Sequence, residues 1–403
     1  AEADADTEAN PLLPPGDAAQ QADRPIAIDQ FVYRPGSGIR IRSADGDFAL
    51  TMQVRVQAEW TAQSNADGWQ NRFRIRRARL KMGGHAFGPN VRYKLELAFS
   101  PNDGGVGDDL LDGGPRFTPL LDAYIGFYHL RDFRVRFGQM KVPSNRQRVT
   151  SSADMQIVDR SIFNSEFNLD RDVGFDLSSD DLFGIDMLRY RLGAFIGRGR
   201  DSQGFDDFGL LYTARIEVHP FGTFDDDSGE ADFERGAPRL AIAAGYAYVD
   251  RARGNRGISG SAPDAGGTTD THVLSADVLF FARGASVLFE AGYRDGTRNP
   301  GDAVDEMGNP IEVELPRNGW GTHLQVGYLL PRLPLEVAAR YSRVRGTGAD
   351  TETSLGPREE ITGGLNYYFG RSAYKLQVDY GYLWREDVED GQHRIRALLQ
   401  LAL

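Results

Sequence analysis

This 403-residue chain contains a basic stretch, from Asn71 to Met82, whose side chains are suited to bind a ligand. The stretch holds five arginines and one lysine, and no acidic residue. The cations occupy every second position up to Arg76, and from Arg77 they do so again with the phase shifted by one. Guanidinium groups bind oxyanions through two parallel hydrogen bonds. The stretch therefore predicts an anion-binding face on an extended strand.

The elements that must position these cations are long strands of alternating polarity. Between Asp47 and Leu403, apolar and polar residues alternate for about ten residues and then reach a turn, and this happens about sixteen times. Strands in soluble proteins run about five or six residues, whereas a tilted strand that crosses a bilayer needs about nine to eleven. The pattern predicts an all-β fold, a transmembrane antiparallel β-barrel of about sixteen strands.

The phase shift within the basic stretch predicts a β-bulge at Arg76–Arg77. One extra residue at this point lets all six cations face the inside of the barrel, while Phe73, Ile75 and the apolar residues that follow face lipid. Without the bulge, one set of arginines would lie in hydrocarbon, at a cost of about 2–4 kcal/mol each near the membrane midplane.

The same alternation places cations of other strands inside the barrel, and rings of arginine or lysine select anions. An alternative is a lumen in which arginines merely pair with acids of the same face, such as Glu59, Glu96 or Glu290. Such pairing is least expected for the basic stretch, because it contains no acid of its own. The predicted anion pathway consists of Arg72, Arg74, Arg76, Arg77, Arg79, Lys81, Arg92, Lys94, Arg134, Arg136, Lys141, Arg146 and Arg148.

The connections between the strands alternate between long and short, as in outer-membrane barrels with long external loops and short periplasmic turns. A hairpin from Ile39 to Phe48 is expected to lead into the first long strand, and the first long connection is expected at 61–70. The longest is 142–170, and a loop of this length without obvious secondary structure is usually functional. We predict that it is the third long loop, folds into the lumen and narrows the pore; an external loop packed on its neighbours is the alternative. One connection on the short side, 220–238, is too long for the rule, and the sequence offers no physical reason for it.

Composition limits the other possibilities. Residues 1–38 are predicted to form a flexible periplasmic lead, because the first part of this segment has few large apolar residues, and 39–403 to form the barrel. Cysteine is absent and the net charge is −12, which argues against thiolate metal sites and nucleic-acid binding. The Asp-rich stretches (Gly107–Asp109, Asp206–Asp207 and Asp225–Asp227) fall in connections, where salt would screen them from a pore constriction.

Five segments resemble the phosphate-selective porins O and P. They are FRIRRARLKM (Phe73–Met82), LLDAYIGF (Leu120–Phe127), RVRFGQMKVP (Arg134–Pro143), SSADMQIVDRS (Ser151–Ser161) and RDVGFDL (Arg171–Leu177). The resemblance implies a sixteen-stranded barrel, usually trimeric, with an inward-folded third loop and arginines along an anion path. Those porins have lysine-rich outer vestibules, whereas this chain has only Lys81, Lys94, Lys141 and Lys375 and acidic external loops.

The sequence thus predicts a porin in the outer membrane of a Gram-negative bacterium, with lipid, lipopolysaccharide and small inorganic anions as its partners and a homotrimer as its assembly. Passive diffusion of phosphate or a similar oxyanion requires no cofactor, no metal and no covalent chemistry. The alternative is a structural or docking barrel with an occluded lumen that binds a periplasmic or surface partner. An enzyme is not predicted, since no Ser–His pair or metal motif has a supporting context.

Overall fold

The computed structural model describes residues 27–65, 68–101, 103, 105–108, 115–200, 209–226, 229–348, 352–385 and 391–403. Two strands near the start form a hairpin, β1 (Ile28–Arg34) and β2 (Gly38–Ser43), and two more form a hairpin within a long loop, β6 (Gly105–Asp108) and β7 (Pro115–Thr118). The remaining strands are β3 (Ala49–Asn65), β4 (Gly68–His85), β5 (Val91–Ala98), β8 (Leu120–Phe127), β9 (Arg134–Lys141), β10 (Arg171–Ser179), β11 (Leu188–Phe195), β12 (Leu211–Val218), β13 (Arg239–Ala252), β14 (Gly267–Ala282), β15 (Ala285–Pro300), β16 (Gly319–Leu329), β17 (Leu335–Gly346), β18 (Arg358–Gly370), β19 (Tyr374–Arg385) and β20 (Gln392–Ala402).

These sixteen strands form a closed antiparallel β-barrel. Each pairs with the next one in the chain, and β20 pairs with β3, so that Ala402 lies opposite Arg55 and Arg394 opposite Gln63. The described helices are short, α1 (Arg146–Val149) and α2 (Ile162–Phe167), with a 3-10 turn at Leu182–Gly184. None of the described helices has the length and hydrophobicity needed to span a membrane. The predicted fold class is confirmed.

The two faces of the barrel differ in polarity in the way that the alternation predicts. In β12, Thr213, Arg215 and Glu217 are buried, whereas Ile216 is 49% exposed and Tyr212 47% exposed on the opposite face. Burial of polar groups beside exposure of apolar ones reverses the arrangement of a soluble protein. It matches a barrel whose outer surface contacts lipid.

The bulge predicted at Arg76–Arg77 is confirmed. Gln57 of β3 pairs with Arg77, and the next residue, Ala58, pairs with Ile75, so Arg76 is left without an opposite residue. Arg77 is buried, while Phe73 on the other face is 76% exposed. The extra residue therefore keeps the cations on both sides of it on the inner face.

The connections also follow the predicted asymmetry. One end of the barrel, here the short-turn end, has connections at 86–90, 128–133, 180–187, 283–284, 330–334 and 371–373, together with the long connection 219–238. The other, the long-loop end, includes 142–170. The predicted loop at 61–70 is wrong, because β3 and β4 continue as a paired hairpin through Asn65 and Gly68. Two strands can stay hydrogen-bonded to each other beyond the membrane, where both faces of the sheet meet water and polar residues are tolerated on each. The polarity of residues 61–70 was therefore no evidence of a loop.

The predicted flexible lead over residues 1–38 lies largely outside the described residues, which begin at 27. Within it, β1 pairs with β2, and β2 pairs with the start of β3, with Ile39 opposite Met52. The hairpin predicted from Ile39 to Phe48 is therefore present, and a further described strand precedes it, beginning at Ile28, eleven residues before Ile39. The rest of the predicted division into lead and barrel stays a prediction.

Three apolar clusters lie inside the barrel and hold its long connections. Val142 and Leu169, at the two ends of loop 142–170, pack with Met140, Phe195 and Val249. The other clusters are Phe163 and Phe167 of α2 with Val344 and Leu355, and Ala241, Leu279, Phe281 and Leu288 with Phe224 of connection 219–238. Burial of such side chains stabilises each contact by roughly 1.5–3 kcal/mol per large residue.

Candidate solute pathway

Loop 142–170 makes hydrogen bonds to inward-facing side chains on widely separated strands. Gln57 Nε2 of β3 donates to Ser152 O at 3.2 Å, and Lys375 Nζ of β19 donates to Met155 O at 2.8 Å. On the opposite wall, Gln147 N donates to Glu290 Oε1 of β15 at 3.1 Å. The loop thus contacts the inner face on several sides of the barrel.

Three cavities lie along the strands around β4, and loop 142–170 lines the outer and the middle one. The outer cavity has a volume of about 510 Å³, the middle cavity about 340 Å³ and the inner cavity about 760 Å³. Arg79 lines both the outer and the middle cavity. Gln53, Lys81 and Lys94 line both the middle and the inner cavity. The cavities therefore follow one another from the long-loop end to the short-turn end.

Cations outnumber acids in the lining of each cavity. In the outer cavity ten arginines (Arg76, Arg77, Arg79, Arg148, Arg160, Arg171, Arg200, Arg256, Arg394 and Arg396) face four acids (Asp103, Asp159, Asp170 and Glu360). In the middle cavity Arg55, Arg79, Lys81, Lys94 and Lys141 face Glu96 and Asp154. The lining of the inner cavity includes Arg40, Lys81, Arg92 and Lys94 and, among the described residues, no acid.

Four of the five arginines of the basic stretch, Arg74, Arg76, Arg77 and Arg79, are nevertheless paired, which corrects the argument that this stretch has no acid to pair with. Arg74 Nη2 lies 2.6 Å from Glu59 Oε1, directly across the ladder on β3. Arg76 Nη2 donates to Asp159 Oδ2 of the long loop at 3.0 Å. A strand takes its partners from its neighbours and from folded loops, so its own acid content does not decide the pairing.

Arg79 is the most heavily paired of these cations. Its Nη1 donates to Glu96 Oε1 at 2.7 Å, and its Nη2 donates to Asp103 Oδ1 at 2.6 Å. Burial raises the pKa of Asp103, but the hydrogen bond and charge of Arg79 outweigh it and hold that pKa at about 2. Asp103 is therefore ionised at neutral pH and offsets part of the positive charge at the junction of the outer and middle cavities.

Lys81 differs from its neighbours, because it makes no hydrogen bond or ion pair with any residue in the described ranges. It lines the middle and inner cavities beside Lys94, whose Nζ lies 3.3 Å from Glu96 Oε2 and also pairs with Asp122. A lysine that lines a cavity without a protein partner keeps its charge available to a passing anion. Lys81 is therefore the predicted residue best placed to contact solute.

The other predicted residues lie in several places. Arg92 lines the inner cavity with its guanidinium 4.7 Å from the Tyr128 ring, and Lys141 donates to Val149 O at 2.7 Å beside the middle cavity. Arg148 pairs with Asp170 at the outer cavity. The predicted residues that line none of these three cavities are Arg72, Arg74, Arg134, Arg136 and Arg146.

Arg146 lies instead in a buried group of acids. It donates to Asp277 Oδ1 at 2.6 Å and to Glu217 Oε2 at 3.3 Å, and also pairs with Asp226. Asp225–Asp227 fall in a connection as predicted, but the prediction that salt screens them is wrong for Asp226, which is 1% exposed. Asp109, Asp206, Asp207 and Asp227 lie outside the described residues.

Glu217, His219 and Asp226 lie close enough together to hold a metal ion. His219 Nε2 is 3.7 Å from Glu217 Oε2 and 3.9 Å from Asp226 Oδ2. Arg146 already binds both of these oxygens, and Arg215 Nε donates to Glu217 Oε1 at 2.6 Å. The guanidinium groups neutralise the carboxylates, so the cluster is an ion-pair network rather than a vacant metal site.

Several lining residues were missing from the predicted pathway. Arg55 occupies an inward position of β3, so the alternation alone could have found it. Arg200 and Arg256 belong to loops of the long-loop end, and no periodicity in the sequence indicates that they approach the basic stretch. Arg40 belongs to β2, which precedes the alternating strands that were predicted to begin at Asp47.

Comparison with known proteins agrees with this geometry. The family described as phosphate-selective porin O and P matches residues 48–221. Similar solved structures include an anion-selective porin from Comamonas acidovorans (TM-score 0.58, 13% identity, 88% of this chain and 99% of that chain) and the outer membrane channel DcaP of Acinetobacter baumannii (TM-score 0.54, 14% identity, 88% and 97%). An OmpT variant of Vibrio cholerae lacking loop L8 is also similar (TM-score 0.54, 12% identity, 88% and 99%). No curated protein matches the chain.

Proposed function

We propose that this outer-membrane porin, whose residues 48–221 match the phosphate-selective porin O and P family, conducts small anions in preference to cations. The observation that carries the proposal is the excess of cations over acids in all three successive cavities. In a low-dielectric wall, such an excess raises the local concentration of anions and repels cations. The long-loop end faces the exterior and the short-turn end the periplasm, as in other outer-membrane barrels.

Phosphate or a similar oxyanion is the proposed solute. Forked guanidinium groups of Arg76, Arg77 and Arg79 match the geometry of a tetrahedral oxyanion. Each of these arginines already has a carboxylate partner, which favours brief contacts over tight capture. The proposal is therefore passive diffusion with a modest preference among anions, and the chemistry needs no cofactor.

Loop 142–170 is proposed to form the constriction. Its support is a set of hydrogen bonds to the inner wall: Ser152 O and Met155 O accept from Gln57 of β3 and Lys375 of β19, and Gln147 N donates to Glu290 of β15. Arg148 and Arg160 of the same loop line the outer cavity. The loop thereby adds its own cations to those of β4 at the outer cavity.

A homotrimer in contact with lipid and lipopolysaccharide is proposed from the family resemblance together with the apolar outer face. Native mass measurement in a mild detergent, before and after heating, tests the assembly. A monomer that conducts fully would remove the trimer and leave the proposed conduction intact.

Lys81 tests the anion path directly, since it makes no hydrogen bond or ion pair with the part of the chain that the structure describes. We expect Lys81→Glu to lower the chloride-to-potassium permeability ratio in planar bilayers, because it reverses a charge shared by two cavities. Arg131→Glu is the matched control: Arg131 is exposed, lies in a short connection and lines none of the three cavities. Equal ratios in wild type and Lys81→Glu would contradict the assigned path, and absence of any conductance would favour the docking barrel.

A further inference from the structure

The connection 219–238, between β12 and β13, is much longer than the other turns at the periplasmic end, and part of it folds into the barrel. Among its described side chains, Asp226, Glu230 and Asp232 are each no more than 2% exposed, whereas Phe221 and Glu234 are exposed. Three carboxylates would not be buried by a solvated loop, since each costs several kcal/mol to desolvate without partners.

The connection is fixed to the barrel wall at two points. Phe224 packs edge-on against Phe281, with ring centroids 6.0 Å apart, and Leu279 and Leu288 complete this cluster. Farther along the connection, Asp232 Oδ2 accepts a hydrogen bond from Gly284 N at 2.7 Å. These contacts seat the connection against the inner face of β14 and β15.

The connection also contacts the constriction loop, residues 142–170, from the short-turn end of the barrel. Glu230 N donates to Asp154 O at 3.0 Å, and Glu230 Oε2 accepts from Gln156 N at 2.9 Å. The same oxygen accepts from Gln325 Nε2 of β16 at 2.7 Å. Glu230 therefore joins the connection, the constriction loop and the wall at one point.

The wall behind these two segments carries buried charges of both signs that lie outside the anion path. Its inward acids include Glu217, Asp277, Glu290 and Glu336, and its inward arginines include Arg215, Arg294 and Arg340, all buried. None of these seven residues lines any of the three cavities. Solvent that reached this wall would open a second route through the lumen, separate from the three cavities.

We propose that connection 219–238 is a wedge that closes one side of the lumen and confines solute to the three basic cavities. The proposal rests on the proposed function for its consequence, anion preference, but not for the occlusion itself. Glu230 is the positioning residue of the wedge, because it holds the constriction loop in place without lining the path.

Cysteine accessibility tests the occlusion, and the natural absence of cysteine makes the labelling specific. Leu288→Cys lies beneath the wedge, whereas Gln53→Cys lines the middle and inner cavities. In open channels, a small charged methanethiosulfonate reagent should modify Gln53→Cys quickly and leave Leu288→Cys unmodified. Rapid modification of Leu288→Cys in the otherwise unaltered chain would overturn the proposal.

Removing the wedge tests its effect on conduction. Replacement of residues 221–236 by Gly-Ser-Gly should expose Leu288→Cys and raise the single-channel conductance. A folded shortened variant with wild-type conductance and an unreactive Leu288→Cys would refute the wedge. If the shortened chain does not fold, Glu230→Ala provides the same readouts, with Glu234→Ala as the matched control because Glu234 is exposed.

The two proposals can fail separately. A wild-type channel that prefers cations would remove the anion path, yet an unreactive Leu288→Cys would still show an occluding wedge. A disulfide between Asp154→Cys and Gly229→Cys, where a Cβ at Gly229 would lie 3.1 Å from that of Asp154, adds a direct check. Failure of this pair to cross-link in the folded channel would show that the wedge does not reach the constriction loop.

Discussion

At the scale of single residues, charge placement follows from the sequence, whereas charge pairing does not. Alternation assigns Arg74 and Arg79 to the inner face, and the structure agrees. Their partners Glu59, Glu96 and Asp103 come from other strands and from a loop, at separations in sequence that no local pattern fixes. Pairing depends on register and on how loops fold back, so a sequence could locate the cations without showing how much of their charge is offset.

Glu166 illustrates a residue whose importance is visible only in the structure. Its carboxylate, on α2 of the constriction loop, is 1% exposed and pairs with Arg294, Arg317 and Arg358 from different parts of the chain. Its Oε2 lies 2.8 Å from Arg317 Nη2 and 2.5 Å from Arg358 Nη2. This arrangement fixes the loop to the external side of the barrel.

Glu166→Gln should destabilise the constriction loop, since it leaves three arginines around a neutral side chain. Loss of one partner from a buried ion pair costs about 3–5 kcal/mol. We expect a lower melting temperature and noisier single-channel currents, measured by circular dichroism and in bilayers. Glu352→Gln, in an external connection, is the control. Unchanged stability and current noise in Glu166→Gln would contradict the assigned clamp.

The pH dependence of this clamp follows from the same carboxylate. Burial raises the pKa of Glu166, but the hydrogen bond of Arg317 and the charge of Arg294 outweigh it and lower the pKa from 4.5 to about 2. A lowered folded-state pKa contributes stability above the unfolded value, which is lost as the pH falls toward the folded value. Current noise should therefore be constant from neutral pH to about 4.5 and rise as the pH approaches 2. A rise in noise between pH 7 and 5 would point to another group.

At the scale of elements, the bulge at Arg76 shows how far a polarity pattern can predict backbone geometry. The phase shift located the bulge because lipid on one face makes a misplaced arginine expensive. The extent of the β3–β4 hairpin was not predictable in this way. Beyond the membrane both faces meet water, so the alternation no longer distinguishes a paired strand from a loop.

Two single-residue deletions in β4 test this account of the bulge. Deletion of Arg76 removes the unpaired residue and keeps every remaining cation on the inner face, so the barrel should still assemble. Deletion of Ala78 turns Arg79 and Lys81 toward lipid, at about 2–4 kcal/mol each near the midplane. Heat-modifiable migration on gels should report a folded barrel for the first deletion and little or none for the second. The opposite order of assembly would contradict the inferred facing.

At the scale of the whole molecule, net charge and pathway charge have opposite signs. The chain carries −12 overall, yet arginine and lysine outnumber aspartate and glutamate in the lining of all three cavities. Acids on the inner wall are covered by the constriction loop and by connection 219–238. The distribution of charge within the barrel, rather than its total, is what the proposed anion preference depends on.

The barrel itself was predictable, because strand length and two-residue periodicity are local properties that repeat along the chain. The arrangement inside the barrel was not. Arg200 and Arg256 approach the path from separate loops, and connection 219–238 meets the constriction loop through Glu230. Such contacts join segments far apart in sequence, and they are decided by packing within the lumen rather than by any pattern along one strand.

The reversal potential of the wild-type channel in a potassium chloride gradient shows directly whether the channel prefers chloride or potassium. If solute follows the basic path, the reversal potential should have the sign expected for a chloride-selective channel. Replacement of Lys81 by Glu should shift it toward the value expected for a potassium-selective channel. A reversal potential of the sign set by potassium in the folded wild-type barrel would contradict the account.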